Sequence, residues 1–294
     1  MVRQLFPVLP RPLRLKYSNP EIPEGINYSR EHPLKEFVIL VLGVVLFFVS
    51  LVLVLGLVAQ SLAPYVPFSA ELRIVALQEK DQPAAAKPIE TYLQALAQRL
   101  AIAEELPVDM AVQIHYVDSD VVNAFATLGG QIFVFRGLLE TMPDENTLAM
   151  VIAHEIAHVK LRHPIRGLGR AVVIGTVVAM FNGVAGNDIV TDVLGEAGLL
   201  TALKFSRDQE RAADATALQA LASVYGHVGG AAEVFLLLHK SHNGSSLQPP
   251  EFFNSHPLTE HRIDDIHNLA DQKGWPVNAG AMTALPAAFP RWLH

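Results

Sequence analysis

The sequence predicts a mainly helical α+β domain with a small β-sheet, held behind one N-terminal transmembrane helix. Three observations carry this reading. An uncharged apolar run lies near the N-terminus, several later stretches repeat apolar residues at helical steps, and two β-prone runs flank a glycine pair.

Residues 37 to 59, FVILVLGVVLFFVSLVLVLGLVA, carry no charge, and only Gly43, Ser50, Gly56 and Ala59 depart from Leu, Ile, Val and Phe. As a helix the run would rise about 34 Å, enough for a hydrocarbon core of about 30 Å. It exceeds the apolar core of a signal peptide, and a long segment precedes it, so an anchor is expected. Arg3, Arg11, Arg14, Lys16, Arg30 and Lys35 precede the run, whereas no basic residue follows it until Arg73. The positive-inside rule then leaves residues 1 to 36 as a cytoplasmic tail and translocates the rest. In a two-membrane cell this means a single-pass inner-membrane protein with a periplasmic domain. Residues 60 to 87, with Pro64, Pro67, Pro83 and an alanine run, read as a linker to a domain at 88 to 294.

Within the domain, Ile89, Tyr92, Leu93, Leu96 and Leu100 mark an amphipathic helix. A short strand is expected at 110 to 117, and 123 to 139 reads as extended pieces around Gly129 and Gly130. Thr141 and Asp144 suggest a capping box opening a helix through LAMVIAHEIAHVKLR, closed near Pro164. Further helices are expected around 208 to 222, 229 to 240 and 259 to 272. The uncharged stretch 171 to 185 is too short to span a membrane and suits a buried helix or a hydrophobic flap, with a second membrane contact, re-entrant or interfacial, as the alternative.

The chain has 294 residues and a formal net charge of −7. It has no basic run, which argues against nucleic acid as a partner. It has no cysteine, so disulfides, thiolate catalysis and Cys-ligated metal are excluded. Any metal must rest on His, Asp or Glu.

HEIAH at 154 to 158 supplies such a set. His154 and His158 stand four residues apart, about 40° around a helix axis, so both imidazoles can reach one ion. Glu155, one residue further round, can touch a water beside that ion as general base. The flanking Ile152, Ile156 and Val159 indicate a packed helix, in which imidazoles without partners would be costly. A catalytic zinc takes three protein ligands and one open position. SRDQERAAD, residues 206 to 214, offers Glu210 as the third, with Asp214 one turn later to orient a ligand imidazole. His163 is out of register for a ligand and reads as a helix-end residue.

NAFATLGG, HEIAHVKLRH, SRDQERAAD and SHPLTEHR together resemble the membrane-associated gluzincins of metallopeptidase family forty-eight, which includes the CAAX prenyl endopeptidases, HtpX and BepA-like peptidases. The resemblance covers roughly residues 90 to 270. It implies an α-rich zincin fold with a small sheet, one zinc ion per chain and peptide-bond hydrolysis. With the resemblance, His256 and then Arg207 become candidates to stabilise the oxyanion. Asn123, Ala124, Phe125 and Ala126 would form the edge that pairs with extended substrate. A lid at 165 to 205 could block zinc only through Asp188, Asp192 or Glu196. The other histidines, such as His115 and His227, read as packing or surface residues.

The expected partners are polypeptides, including misfolded envelope proteins, and the lipid bilayer. The alternative is a client-binding chaperone or assembly factor on a metallopeptidase scaffold with minor cleavage.

Overall fold

The computed structural model describes residues 33 to 78, 87 to 182, 204 to 244, 261 to 277 and 282 to 294, with Ser18, Glu21, Phe252 and His256. Most of the N-terminal tail, the acidic lid residues and the helix start expected at Thr259 lie outside them. The chain divides into two units, Met1–Phe48 and Val49–His294. In the first, the residues from Pro33 onward belong to helix α1 (Pro33–Leu62) and are almost all exposed. Among the described residues, Pro33–Tyr65 is the one stretch long and apolar enough to cross a membrane, with a mean hydropathy of 3.4 and none of its apolar window buried.

In the second unit a 3-10 turn, Ala63–Tyr65, leads into α2 (Phe68–Gln78). The stretch expected to be a linker thus contains a helix, and its Phe68 and Glu71 are buried. Glu71 Oε2 accepts from the Gly129 amide at 2.8 Å, and Oε1 lies 2.9 Å from Arg162 Nη1. Arg162 also donates to the Val66 carbonyl and holds a left-handed φ of 61°. These partners keep a non-glycine residue in a sparsely populated region.

Helix α3 (Pro88–Ala103) buries Ile89, Leu93, Leu96 and Leu100 of the predicted stripe and leaves Tyr92 half-buried. The sheet follows: β1 (Gln113–Val117), β2 (Ala124–Ala126) and β3 (Gln131–Phe135), in the order β1-β3-β2. β1 runs parallel to β3, and β2 pairs antiparallel with it as the predicted hairpin. Gly130 turns that hairpin at φ 71°, and a Cβ there would meet the Ala111 carbonyl at 2.1 Å. Only glycine satisfies both constraints.

A single turn, α4 (Arg136–Leu139), precedes α5 (Glu145–Lys160), whose residues from Glu145 to Val159 are all buried. The cap differs from the expectation. Asp144 is itself the N-cap, accepting from Thr147 N at 2.7 Å, while Thr141 Oγ1 donates to Leu138 O. Pro143 stands between them, so the chain is not helical before Asp144. Pro164 closely follows the end of α5, as expected, and also sits in the first turn of α6 (His163–Asn182), where its missing N–H costs nothing. The remaining elements are α7 (Arg207–Tyr225), α8 (Ala231–Gly244), α9 (Arg262–Lys273) and α10 (Phe289–Trp292).

α5 packs most closely on α7 and α3. At its N-terminal end Glu145 accepts from Arg99 at 2.6 Å, Tyr92 at 2.7 Å and Tyr225 at 2.9 Å, tying three helices together. Burial alone would raise the Glu145 pKa, but these three donors outweigh it and hold the carboxyl below its ordinary range. Its contribution to stability is therefore complete above the unfolded value of about 4.3 and is lost as pH falls through the folded value. Replacing Glu145 by Gln should flatten the acid limb of stability below about pH 4.3, read by urea unfolding at stepped pH. An unchanged limb would remove Glu145 as a contributor.

Candidate metal centre

The central helix brings its two histidines together as the spacing requires: the Nε2 atoms of His154 and His158 lie 3.0 Å apart. Glu210 arrives from α7, which begins with a reciprocal cap. Ser206 Oγ accepts from Gln209 N, and Gln209 Oε1 accepts from Ser206 N. That cap fixes the first turn, and Glu210 Oε2 stands 3.4 Å from His154 Nε2 while Oε1 stands 3.4 Å from His158 Nε2. The helix N-terminus also favours a carboxylate there.

Outer partners orient each ring. His154 Nδ1 lies 2.9 Å from Asp214 Oδ1, one turn beyond Glu210, and His158 Nδ1 lies 2.8 Å from His163 Nδ1. Phe205 stacks on the His158 ring at 4.0 Å. Arg262, the first residue of α9, donates to both Asp214 oxygens at 2.7 and 2.8 Å and reaches Glu210 Oε2 at 2.9 Å. Its guanidinium lies over the Phe235 ring and is 2% exposed. Arg207 sits instead on the exposed first turn of α7.

Glu155 turns toward the sheet, where its Oε2 accepts from Ala126 N at 2.8 Å. The other face of β2 is taken by β3: Thr127 N donates to Gln131 O, and Phe135 N to Asn123 O. With the two-residue period of a strand, the main chain of Ala124 and Ala126 points away from β3. His256 lies fully buried among these groups. Its Nδ1 is 3.2 Å from Glu210 Oε1 and 3.3 Å from His154 Nε2, and its Nε2 is 3.3 Å from Glu155 Oε1. Phe252 stacks on the His256 ring and donates its amide to Val122 O, just before β2.

Burial dominates the electrostatics. It lowers His158 well below the ordinary imidazole range, with the Glu210 hydrogen bond opposing it. It would lower His154 too, yet the hydrogen bonds to Asp214 and Glu210 outweigh it and raise that ring to about 10. Glu155 is raised by burial against the pull of His256 and His154. Glu210 is lowered, because His256, His154 and His158 together overcome its burial.

One donor atom from each of His154, His158, Glu210 and His256 lies within 4.8 Å of every other, all four residues buried. This set fits a metal. His154 Nδ1–H donates to Asp214, so with a metal bound the neutral ring would turn its Nε2 lone pair inward, and a carboxylate supplies the negative charge. Nitrogen and oxygen donors without thiolate match zinc's histidine and carboxylate sites. The sequence reading placed His154, His158, Glu210, Glu155 and Asp214 near one another, and the structure brings them together. It missed Arg262, the packing of Phe205 and the contact of His163, which does stand at a helix start but also faces His158. The arginine in SHPLTEHR was visible, yet nothing local distinguishes it from a solvated helix residue.

Comparison with known proteins agrees with this geometry. The model for peptidase family M48 matches residues 88–270. The β-barrel assembly-enhancing protease of Escherichia coli is 30% identical over 196 residues, covering 62% of this chain and 39% of that protein. The one from Yersinia pestis is 29% identical over 192 residues, with the same coverage. The mitochondrial metalloendopeptidase OMA1 of Schizosaccharomyces pombe is 29% identical over 182 residues, covering 61% of this chain and 52% of that protein. The matches thus span about two fifths to one half of these relatives' own length. A family match across most of the domain, on a chain with HEIAH, Glu210 and Asp214 converged in space, places the protein in peptidase family M48.

Proposed function

We propose that this chain is a zinc metalloendopeptidase anchored in a membrane by α1 and acting in envelope protein quality control. The observation that carries the reading is the buried convergence of His154, His158 and Glu210 beside Glu155. His154 and His158, through Nε2, and Glu210, through its carboxylate, hold one zinc ion. When bound, zinc polarises the scissile carbonyl and makes water a stronger nucleophile near neutral pH.

The chain's own groups do the rest. Ala126 N holds Glu155 Oε2, leaving Oε1 to take a proton from the attacking water and pass it to the leaving amine. Burial, by raising the Glu155 pKa, strengthens it as a base. Because the same amide belongs to β2, the base is fixed to the strand on which substrate would add. Extended polypeptide pairs along Asn123, Ala124, Phe125 and Ala126, using the outward main chain of Ala124 and the Ala126 carbonyl. Main-chain pairing reads extension more than sequence, which suits misfolded substrates.

His256 has two positions in this scheme. In one it completes a four-donor set and stands between Glu210 and Glu155, which supports reading this arrangement as a resting, closed form. A catalytic zinc needs an open position, and His256 must withdraw to provide it. Once displaced it can donate to the oxyanion, a role the exposed Arg207 would reach only by moving inward. The closed arrangement also favours the second reading, a client-binding factor with minor cleavage.

The names of the bacterial relatives, which tie those proteins to β-barrel assembly, support an envelope role. The basic residues ahead of α1 support an extracytoplasmic domain.

A Glu155→Gln variant separates the two readings. It should keep about one zinc per chain and lose casein hydrolysis by at least about 100-fold, while the parent loses the same activity to a chelator. A variant that still cleaves would sink the assignment of the base, and equal inactivity of both proteins would favour client binding. Arg262 gives a second test. Its removal leaves Glu210 and Asp214 buried without their cation, a loss of about 3–5 kcal/mol. Arg262→Met should therefore destabilise the chelated protein in urea, and the deficit should narrow with zinc, which compensates Glu210. An equal deficit with and without zinc would show that the two cations do not share that carboxylate.

A further inference from the structure

Helix α6 has two halves of different chemistry. Its charges, Arg166 and Arg170, fall in the first half with His163, while residues 171 to 182 read AVVIGTVVAMFN and carry none. The first half is placed by packing. Ile165 and Leu168 share an apolar cluster with Ala63, and the Cβ position of Gly169 lies 3.5 Å from the Ala59 Cβ and carbonyl oxygen. Contacts that begin at residue 63 and step back to residue 59 as α6 advances make it antiparallel to the end of α1. Within the second unit α1 is covered along one stripe, Leu51, Val52, Gly56, Ala59 and Gln60, continued by Ala63 in the turn after it, and is otherwise largely exposed.

Beyond Arg170 the helix continues in that direction. Val172 is 44% exposed and Ile174 46%, and Thr176 returns its hydroxyl to the Val172 carbonyl within the helix. Such back-bonding lets a hydroxyl sit in an apolar medium. Arg170 donates to the Lys204 carbonyl and stands at the boundary between the charged and uncharged halves.

We infer that the second half of α6 dips into the acyl region of the bilayer beside the last turns of α1, entering from the side that carries the metal centre. The inference rests on reading α1 as a membrane helix. Residues 171 to 182 would rise about 18 Å, short of the roughly 30 Å needed to cross, so this is a half-depth insertion with Arg166 and Arg170 at headgroup level. A soluble occupant is less apt, because the uncharged face continues the apolar surface of α1 where lipid already lies. One consequence follows for substrate. His163, which touches His158, precedes Arg166 and Arg170 by rises of about 5 and 10 Å, so the centre lies about 5–10 Å above the headgroups. Segments that reach it are those emerging from, or lying on, the membrane surface.

The absence of cysteine allows a direct test. The full chain would be reconstituted in phosphatidylethanolamine and phosphatidylglycerol vesicles as Val172→Cys, Ile174→Cys, Val45→Cys in the anchor and Asp264→Cys in water, each carrying a fluorophore. Phospholipid with a nitroxide on its acyl chain should quench positions 172 and 174 to within a factor of about 2 of position 45, and leave 264 bright. Quenching at 45 but not at 172 or 174 overturns the inference. A membrane-impermeant thiol reagent then tells whether water, or this chain or a second copy, covers the face. No quenching at 45 overturns the anchor reading first, while casein hydrolysis and zinc content remain independent of both.

Discussion

A helix buried on every side cannot carry two imidazoles and a carboxylate in its middle unless each finds a partner, because an unpaired buried polar group costs several kcal/mol. That constraint on α5 organises the domain. Asp214 and His163 satisfy the Nδ1 atoms of His154 and His158, Ala126 satisfies one oxygen of Glu155, and Glu210 faces both Nε2 atoms. These partners come from three elements, so α6, α7 and β2 have their positions set by the side chains of one helix. Arg262 closes the set, since two buried carboxylates on one turn of α7 would otherwise repel.

The same constraint couples the site to its surroundings. Arg162 follows directly on α5 and grips Glu71 and the Val66 carbonyl, while Glu71 holds the turn of the β2–β3 hairpin through Gly129. The segment leaving α1 is thereby fixed both to the helix that carries the histidines and to the hairpin that carries the proposed substrate edge.

Much of this was legible from local pattern. The four-residue spacing of His154 and His158 survives any packing, since it depends only on helix geometry. The stripe Ile89, Leu93, Leu96 and Leu100, and the glycine pair at 129 and 130, likewise express periods and backbone freedoms that sequence carries directly. What sequence does not carry is the partner of a charge. Arg262 and Asp214 are 48 residues apart, Glu71 and Gly129 are 58 apart, and nothing in either neighbourhood marks them as paired. The position of His256 was half legible: SHPLTEHR drew attention to it, but its place between Glu210 and Glu155 depends on how Phe252 and α9 pack. Residues 60 to 87 misled for a related reason, because prolines and alanines suggested a linker whereas Phe68 and Glu71 dock through tertiary contacts.

The zinc ion proposed for His154, His158 and Glu210 is best tested through its coordination shell. X-ray absorption at the zinc edge of the purified protein should show nitrogen and oxygen neighbours at about 2.0–2.2 Å, imidazole scattering from two or three rings and no sulfur. Three rings would mean that His256 joins the shell in the closed form, and two that it has left. A shell of oxygen alone, or imidazole scattering that persists unchanged when His154 and His158 are both replaced by alanine, would contradict the account.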